Sequence, residues 1–364
     1  MTDIFPPVHP PSLTNGLGTM QQPNGTSHPD DSQSIQRPSA QHAATETLQE
    51  QRQHEHPSPS SSSSSSLASV AAELHARVYS FLAERHDPSS LLYRVQNQTR
   101  ISLSVFQEAL MRYSLRELAL SYNGGKDCLV LLILFLASLH PYLSSAHRSA
   151  SAGSRTRTES ASSSANGAGT SDNVDRKDDG VSEDADADAD TLPTSIPAIY
   201  ARPPHPFPSV ESFVTASSER YHLSLVRYTT QPPHSTIRTV FASYLDSHPH
   251  IRAIFVGTRR TDPHGEKLTH FDPTDRGWPD FMRIHPVIDW HYVEIWGFIR
   301  HLGVEYCPLY DEGYTSLGGT NDTHPNPKLR LKTRDGEGEP VEGPTAYRPA
   351  YELIDDEEER LGRD

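Results

Sequence analysis

Ser121-Tyr122-Asn123-Gly124-Gly125-Lys126-Asp127 lies between two apolar runs, Leu118-Ala119-Leu120 before it and Leu129 to Leu139 after it. That order reads as a strand, a glycine turn and a helix. Two adjacent glycines let the backbone turn tightly and bring its N–H groups against a ligand. The start of the following helix adds positive dipole, which suits phosphate. Lys126 supplies a mobile cation, and Asp127 a carboxylate able to hold a metal ion. The loop is therefore expected to bind nucleotide phosphate. It is not a Walker A loop, which needs Gly at position 120 and Ser or Thr after the Lys; the chain has Leu120 and Asp127 there. Nor does it match the dinucleotide G-x-G-x-x-G pattern.

Working outward, apolar positions Val70, Leu74, Val78, Phe81 and Leu82 predict a helix, with order beginning near Ser69. A second helix is expected from about Ser102 to Leu115. Short β-like runs follow at Ile196–Tyr200, Leu223–Tyr228, Ala253–Val256 and, less sharply, Arg283–Ile288. Helical patterns separate them, one through Ile237, Val240, Phe241, Tyr244 and Leu245. Another runs through Tyr292, Ile295, Trp296, Ile299 and Leu302, with Asp289 as its expected N-cap. Strands alternating with helices predict an α/β fold with a mainly parallel, twisted sheet flanked by helices. Ligands in such folds sit beyond the carboxyl ends of the strands. The glycine loop lies at one such end and Gly257-Thr258-Arg259-Arg260-Thr261-Asp262-Pro263 at another, as one shared site requires.

Residues 1–67 are rich in Pro, Gln, Ser and His and end in an unbroken serine run, Ser60 to Ser66. Such a tract buries too little apolar surface to offset its ordering entropy and is expected to be disordered. A second block, 144–190, is rich in Ser, Ala and Gly and finishes in an alternating acidic run from Glu183 to Asp190; it reads as a solvated insert. The ordered domain is thus expected over 68–364, interrupted by that insert. A net charge of −15 argues against general nucleic-acid binding. Two cysteines, Cys128 and Cys307, cannot make a disulfide scaffold or a metal cluster and suit a reducing compartment. The N-terminus lacks the apolar segment of a signal peptide, and Leu129–Leu139 is too short to span a bilayer, so a cytoplasmic protein is expected.

Asp262 precedes Pro263 and reads either as a site carboxylate or as a turn residue. Arg259 and Arg260 beside it offer guanidinium forks for a phosphate. Asp280 and Arg283 read as an ion pair. Tyr314, Thr315 and Ser316, ahead of Gly318, offer hydroxyls and N–H groups for a nucleotide pocket or form only a turn. Arg360 and Arg363 are three apart, so they are expected to share one helix face; alone they read as tail charges balancing Glu357, Glu358 and Glu359.

The loop Ser121 to Cys128 resembles the PP-loop of enzymes that split ATP between its α and β phosphates. Its Asn123 form resembles the eukaryotic FMN adenylyltransferases, or FAD synthetases, of the PP-loop, PAPS reductase-like family, and most of all their fungal branch. The resemblance continues through Val256–Pro263, Trp278–Arg283, Pro286–Trp290, Leu309-Tyr310, Gly313–Gly318, Pro325–Pro327, Leu353–Asp356 and Glu359–Arg363. It covers most of 69–364 outside 144–190 and about 331–348. It implies a Rossmann-like fold of the adenine nucleotide alpha hydrolase type. It implies transfer of AMP from ATP to FMN, giving FAD and pyrophosphate, with Mg2+ as cofactor. By the same resemblance Ser121 to Lys126, with Tyr314, Thr315 and Ser316, contact ATP. Arg259, Arg260, Asp262, Asp275 and Trp278 contact FMN. Asp127 and Asp262 hold the metal, and Arg360 and Arg363 neutralise the triphosphate, which requires the tail to fold back over the site. A monomer is expected, with ATP and FMN as partners, no nucleic acid or membrane, and apo-flavoproteins as recipients of FAD. A sulfonucleotide reductase of the same fold would need a redox cysteine near the C-terminus, and none lies beyond Cys307. A non-catalytic nucleotide sensor should have lost part of the Lys126, Asp127, Asp262, Arg360 and Arg363 set. Tyr351 stands where close relatives usually have Trp.

Overall fold

The computed structural model describes residues 65–158, 193–331 and 346–364. The tail over 1–64 and most of the 144–190 insert therefore lie outside the described residues. Two boundaries differ from expectation. Helix α1 (Leu67–Ala83) already starts at Leu67, because Ser66 accepts from Ser69 N–H at 3.2 Å as its N-cap. Helix α3 (Lys126–Thr158) runs on past Ser144, where the insert was expected to begin.

Helix α2 (Leu91–Arg112) starts eleven residues before its expected position. Its first turns carry Arg94, Gln96, Asn97, Gln98, Thr99 and Arg100, which hide the apolar period. Gln96 is nonetheless buried, and its amide donates to Phe81 O at 2.7 Å and Glu84 O at 3.0 Å. A polar residue has thus become core by satisfying the end of α1.

Strand β1 (Leu118–Ser121) lies in the middle of the sheet. Around it lie β2 (Ile196–Arg202), β3 (Leu223–Thr229), β4 (Ala253–Phe255), β5 (Phe271–Pro273) and β6 (Met282–Ile284), in the order β3-β2-β1-β4-β6-β5. All pairings are parallel except β5 with β6. Strand order reverses direction at the β1–β4 boundary, where Leu120 pairs with Phe255. That boundary is the topological switch point, so the crevice beyond it is the natural ligand site.

The period of two along the strands divides the core. Leu118, Leu120 and Phe255 pack with α1, α2, α3 and α6 (Tyr292–His301) on one face; Ala119 and Ile254 pack with Val240, Phe241 and Tyr244 of α5 (Ile237–Ser247) on the other. Among the described residues, Lys126–Ser144 is the one segment long and apolar enough to cross a membrane. Here Leu129 to Ala137 are buried without a break, so this apolar helix is the core element against which α1, α2 and α6 pack.

Two elements carried no clear signal: α4 (Pro208–Arg220), opened by a proline at its first position, and the three-residue edge strand β5, ending in Pro273. The expected N-cap of α6 also needs correction. The helix begins after His291, whose N–H is taken by Glu294 at 2.9 Å, while Asp356 accepts from Tyr292 N–H at 2.7 Å. Asp289 instead pairs with Arg260 at 2.6 Å.

Candidate active site

The glycine loop leaves β1 at the switch point. Tyr122 N–H still donates to Ile199 O at 2.9 Å, so the strand geometry holds up to the turn. Asn123 then accepts from Gly125 N–H at 2.9 Å, closing an Asx turn. Gly124 sits at φ +74°, and a Cβ there would lie 2.7 Å from Val214 Cγ2. Both strain and crowding therefore exclude a side chain. Gly124→Ala should lower the thermal midpoint by several degrees; an unchanged midpoint in calorimetry would contradict this role. The first helical N–H of α3, that of Lys126, donates to Tyr310 Oη at 2.9 Å. Across the crevice, a Cβ on Gly257 would lie 2.8 Å from Cys128 Sγ, so the end of β4 rests directly on the start of α3.

A buried charge cluster lies beneath the loop. Lys126 Nζ is 2.9 Å from Asp127 Oδ2 and also pairs with Glu359. Arg259 Nε is 2.8 Å from Asp127 Oδ1, and the same guanidinium reaches Glu359, Asp356 at 3.5 Å and Asp262 at 3.8 Å. Lys126 and Arg259 are 2% and 0% exposed, so neither is a surface charge. Burial opposes the charged form of Asp127, but Arg259 and Lys126 more than offset it and hold the carboxyl below the usual range. Asp262 goes the other way: burial, reinforced by the Asp127 charge, pushes it up. Burial also pushes the Cys128 thiol up to about 12, which leaves it protonated and not a nucleophile.

The C-terminal segment closes over this cluster. Asp356–Glu358 is a single 3-10 turn followed by tight turns, so Arg360 and Arg363 do not share a helix as expected. Both nonetheless face the cleft beside Lys126 and Asp127. Glu359, 5% exposed, places them there by bridging Lys126 and Arg259. Its carbonyl accepts from Thr315 Oγ1 at 2.6 Å, and Thr315 accepts from Asn326 at 2.9 Å. Gly318 lies flat on the Arg363 guanidinium, where any side chain would displace it.

Two adjoining cavities share Ser121, Asn123, Thr258 and Asp262. One, of about 250 Å³, is polar and takes in Lys126, Asp127, Ser316, Arg360 and Arg363. The other, of about 300 Å³, is mainly apolar, with Trp278, Phe281 and Phe241 on its walls. Together they make a cleft with a charged half and an aromatic half.

Several expected site residues lie elsewhere. Arg259 is buried under the loop, and Arg260 binds Asp289 and the carbonyls of Glu266 and Leu268 at 3.0 and 2.9 Å. Both guanidinium groups are thus engaged by protein groups in this structure. Asp275 pairs with Arg283 at 3.3 Å, so Arg283 has Asp275 as its partner and not Asp280. Tyr314 packs edge-on against Phe207 at 5.3 Å, and Thr315 secures Glu359; neither lines the cleft. Tyr122 contributes to the cleft wall, but its hydroxyl turns inward to Ser217 at 2.8 Å.

Sequence reasoning missed Glu359, Tyr310 and His285. The first was hidden among neighbouring acids. His285 lies on the wall of the apolar cavity, 2% exposed, with no hydrogen-bond partner for either ring nitrogen. Burial, reinforced by Arg283, pushes its pKa down to about 4, so the ring is neutral. Because the unfolded chain binds this proton first, stability should fall as pH drops from about 6.5 to about 4, by about 3 kcal/mol from this group. His285→Leu should flatten that part of the stability profile by the same amount in urea titrations; an unchanged slope would contradict a buried neutral ring.

This switch-point site on a parallel sheet defines a class: the phosphoadenosine phosphosulfate reductase domain, whose family model matches residues 117–325. The chain is 36% identical over 276 residues to a probable FAD synthase of Schizosaccharomyces pombe, covering 76% of this chain and 82% of that protein. It is 28% identical over 333 residues to the flavin adenine dinucleotide synthase of Saccharomyces cerevisiae, covering 81% and 98%. The crystal structure of Candida glabrata FMN adenylyltransferase in complex with FMN and the ATP analog AMPCPP superposes with a TM-score of 0.63 at 26% identity, covering 82% of this chain and 97% of that one. The chain belongs to the FAD synthase family within that reductase-domain class.

Proposed function

We propose that this enzyme is an FMN adenylyltransferase that transfers AMP from ATP to FMN, releasing pyrophosphate and FAD, with Mg2+ as cofactor. The observation that carries this reading is the divided cleft. Its charged half, at the glycine loop, suits a triphosphate; its aromatic half, of about 300 Å³, suits a flat ring such as isoalloxazine, with Trp278 as a stacking face. Asp262 and Thr258 stand where the halves meet, where the reacting phosphates of the two substrates would come together.

Such a transfer needs in-line positioning and charge cancellation more than covalent help. The loop backbone around Asn123 to Lys126 would cradle the leaving pyrophosphate, and Arg360 and Arg363 would cover it from the other side. Lys126 and Arg259, tied to Asp127 and Glu359, set the field beneath. The donor set fits magnesium. Asp127, Asp262 and Glu359 bring hard carboxylate oxygens to the charged half of the cleft, the donor type that magnesium takes. Asp127 Oδ2 accepts from Lys126 and its Oδ1 lies 2.8 Å from Arg259 without a hydrogen bond, whereas Asp262 Oδ1 is 3.8 Å from that guanidinium; Asp262 is our choice as the direct ligand, with Asp127 supporting it. The ion would screen the phosphate oxygens from the incoming nucleophile.

We further propose that the enzyme acts as a monomer. Two free thiols support a reducing, cytoplasmic setting, and apo-flavoproteins are the proposed recipients of the product. The test mixes the protein with FMN, ATP and magnesium and measures FAD and pyrophosphate, expected in equal amounts. Absence of FAD while both ligands bind would favour a sensor over an enzyme.

A further inference from the structure

Far along α6 from this cleft, three donors of metal-ligand type converge. Glu84 is the C-cap of α1, His86 follows two residues later, and His301 is the last residue of α6. Glu84 Oε2 is 2.8 Å from His86 Nε2 and 2.8 Å from His301 Nε2, and the three donor atoms all lie within 4.8 Å of one another. One carboxylate oxygen is thus shared by two imidazoles, one of them, His301, 217 residues away from Glu84 along the chain. The rings stand nearly perpendicular, at 82°, with centroids 5.9 Å apart, and Phe81 packs against both. The backbone at either end is also fixed: Gln96 donates to Glu84 O at 3.0 Å, and Arg77 to Leu302 O at 3.5 Å.

We infer that Glu84, His86 and His301 form a binding site for one zinc-type transition-metal dication, which clamps the end of α6 to the end of α1. Two imidazole nitrogens and one carboxylate are a common zinc donor set, with water in the fourth position. Tetrahedral zinc places its donors about 3.3 Å apart, so each imidazole nitrogen needs to move away from Glu84 Oε2 by only about half an ångström, and the two nitrogens, within 4.8 Å of one another, are close enough to share one ion. An apolar ring behind the ligands holds their orientation, as outer shells of metal sites do. Magnesium, which prefers six oxygens, does not compete for such a set. Metal binding would require each ring to present an unprotonated Nε2 to the ion.

The test uses the full chain with magnesium in excess. Zinc chloride should raise the thermal midpoint by about 5 °C or more at saturation, since the ion binds the folded state. His301→Asn and Glu84→Gln should each abolish the increment while making FAD as the parent does without zinc. Cobalt chloride should give a ligand-field spectrum of low-symmetry, nitrogen-bound cobalt in the parent alone. Replacing His54 and His56 in the N-terminal tract should leave the increment intact. No increment in the parent, or an equal one in both variants, would overturn the assignment, as would its loss on replacing His54 and His56. If either variant fails to fold, His86→Asn must still abolish the cobalt spectrum; its persistence there counts against the site.

Discussion

Asp262→Asn is expected to lower turnover about 10²–10³-fold, equivalent to losing one well-placed electrostatic contact to the transition state. The fold should survive. Burial and the charge of Asp127 already push the Asp262 carboxyl up, so a neutral amide relieves repulsion in the empty enzyme. The midpoint of thermal unfolding should therefore stay level or rise while kcat collapses. That combination separates a site carboxylate from a turn residue ahead of Pro263, whose loss would cost stability first. Steady-state FAD formation beside calorimetry decides it; near-normal turnover would remove Asp262 from the chemistry. Asp127→Ala should abolish turnover as strongly, but with lost stability, because Lys126 and Arg259 both rest on that carboxylate.

Glu359→Gln is the second large effect, and it joins stability to activity. The side chain is nearly buried and bridges two buried cations. Removing one partner of a buried pair typically costs about 3–5 kcal/mol, because the remaining charge is left uncompensated. Urea unfolding should show a loss of that order. Turnover should fall too, because Glu359 fixes the segment that carries Arg360 and Arg363. Arg360→Ala and Arg363→Ala should lose turnover while keeping the parent's stability. A Glu359→Gln protein as stable and active as the parent would show that the tail needs no such latch.

The strand–loop–helix unit was legible because β1 and the apolar start of α3 flank it with unmistakable patterns, and β2, β3 and β4 followed from their short apolar runs. The start of α2 was not, since its buried Gln96 looks like a surface residue until its carbonyl partners at the end of α1 are known. The site was half legible. Lys126, Asp127 and Asp262 stand next to glycines that announce a loop. Arg259 reads as a ligand fork in sequence, yet it is the buried hub of five charges, because only the fold brings Asp356 and Glu359 to it. Long-range ion pairs have no local spacing to betray them. The same holds for Glu84 and His301.

The most direct test of the central claim follows the label from ATP. With FMN, magnesium and ATP labelled at the α-phosphorus, label should appear in FAD, and with γ-labelled ATP it should appear only in pyrophosphate. Label from the γ position in a flavin product, or none from the α position while both substrates are bound, would contradict adenylyl transfer at this loop.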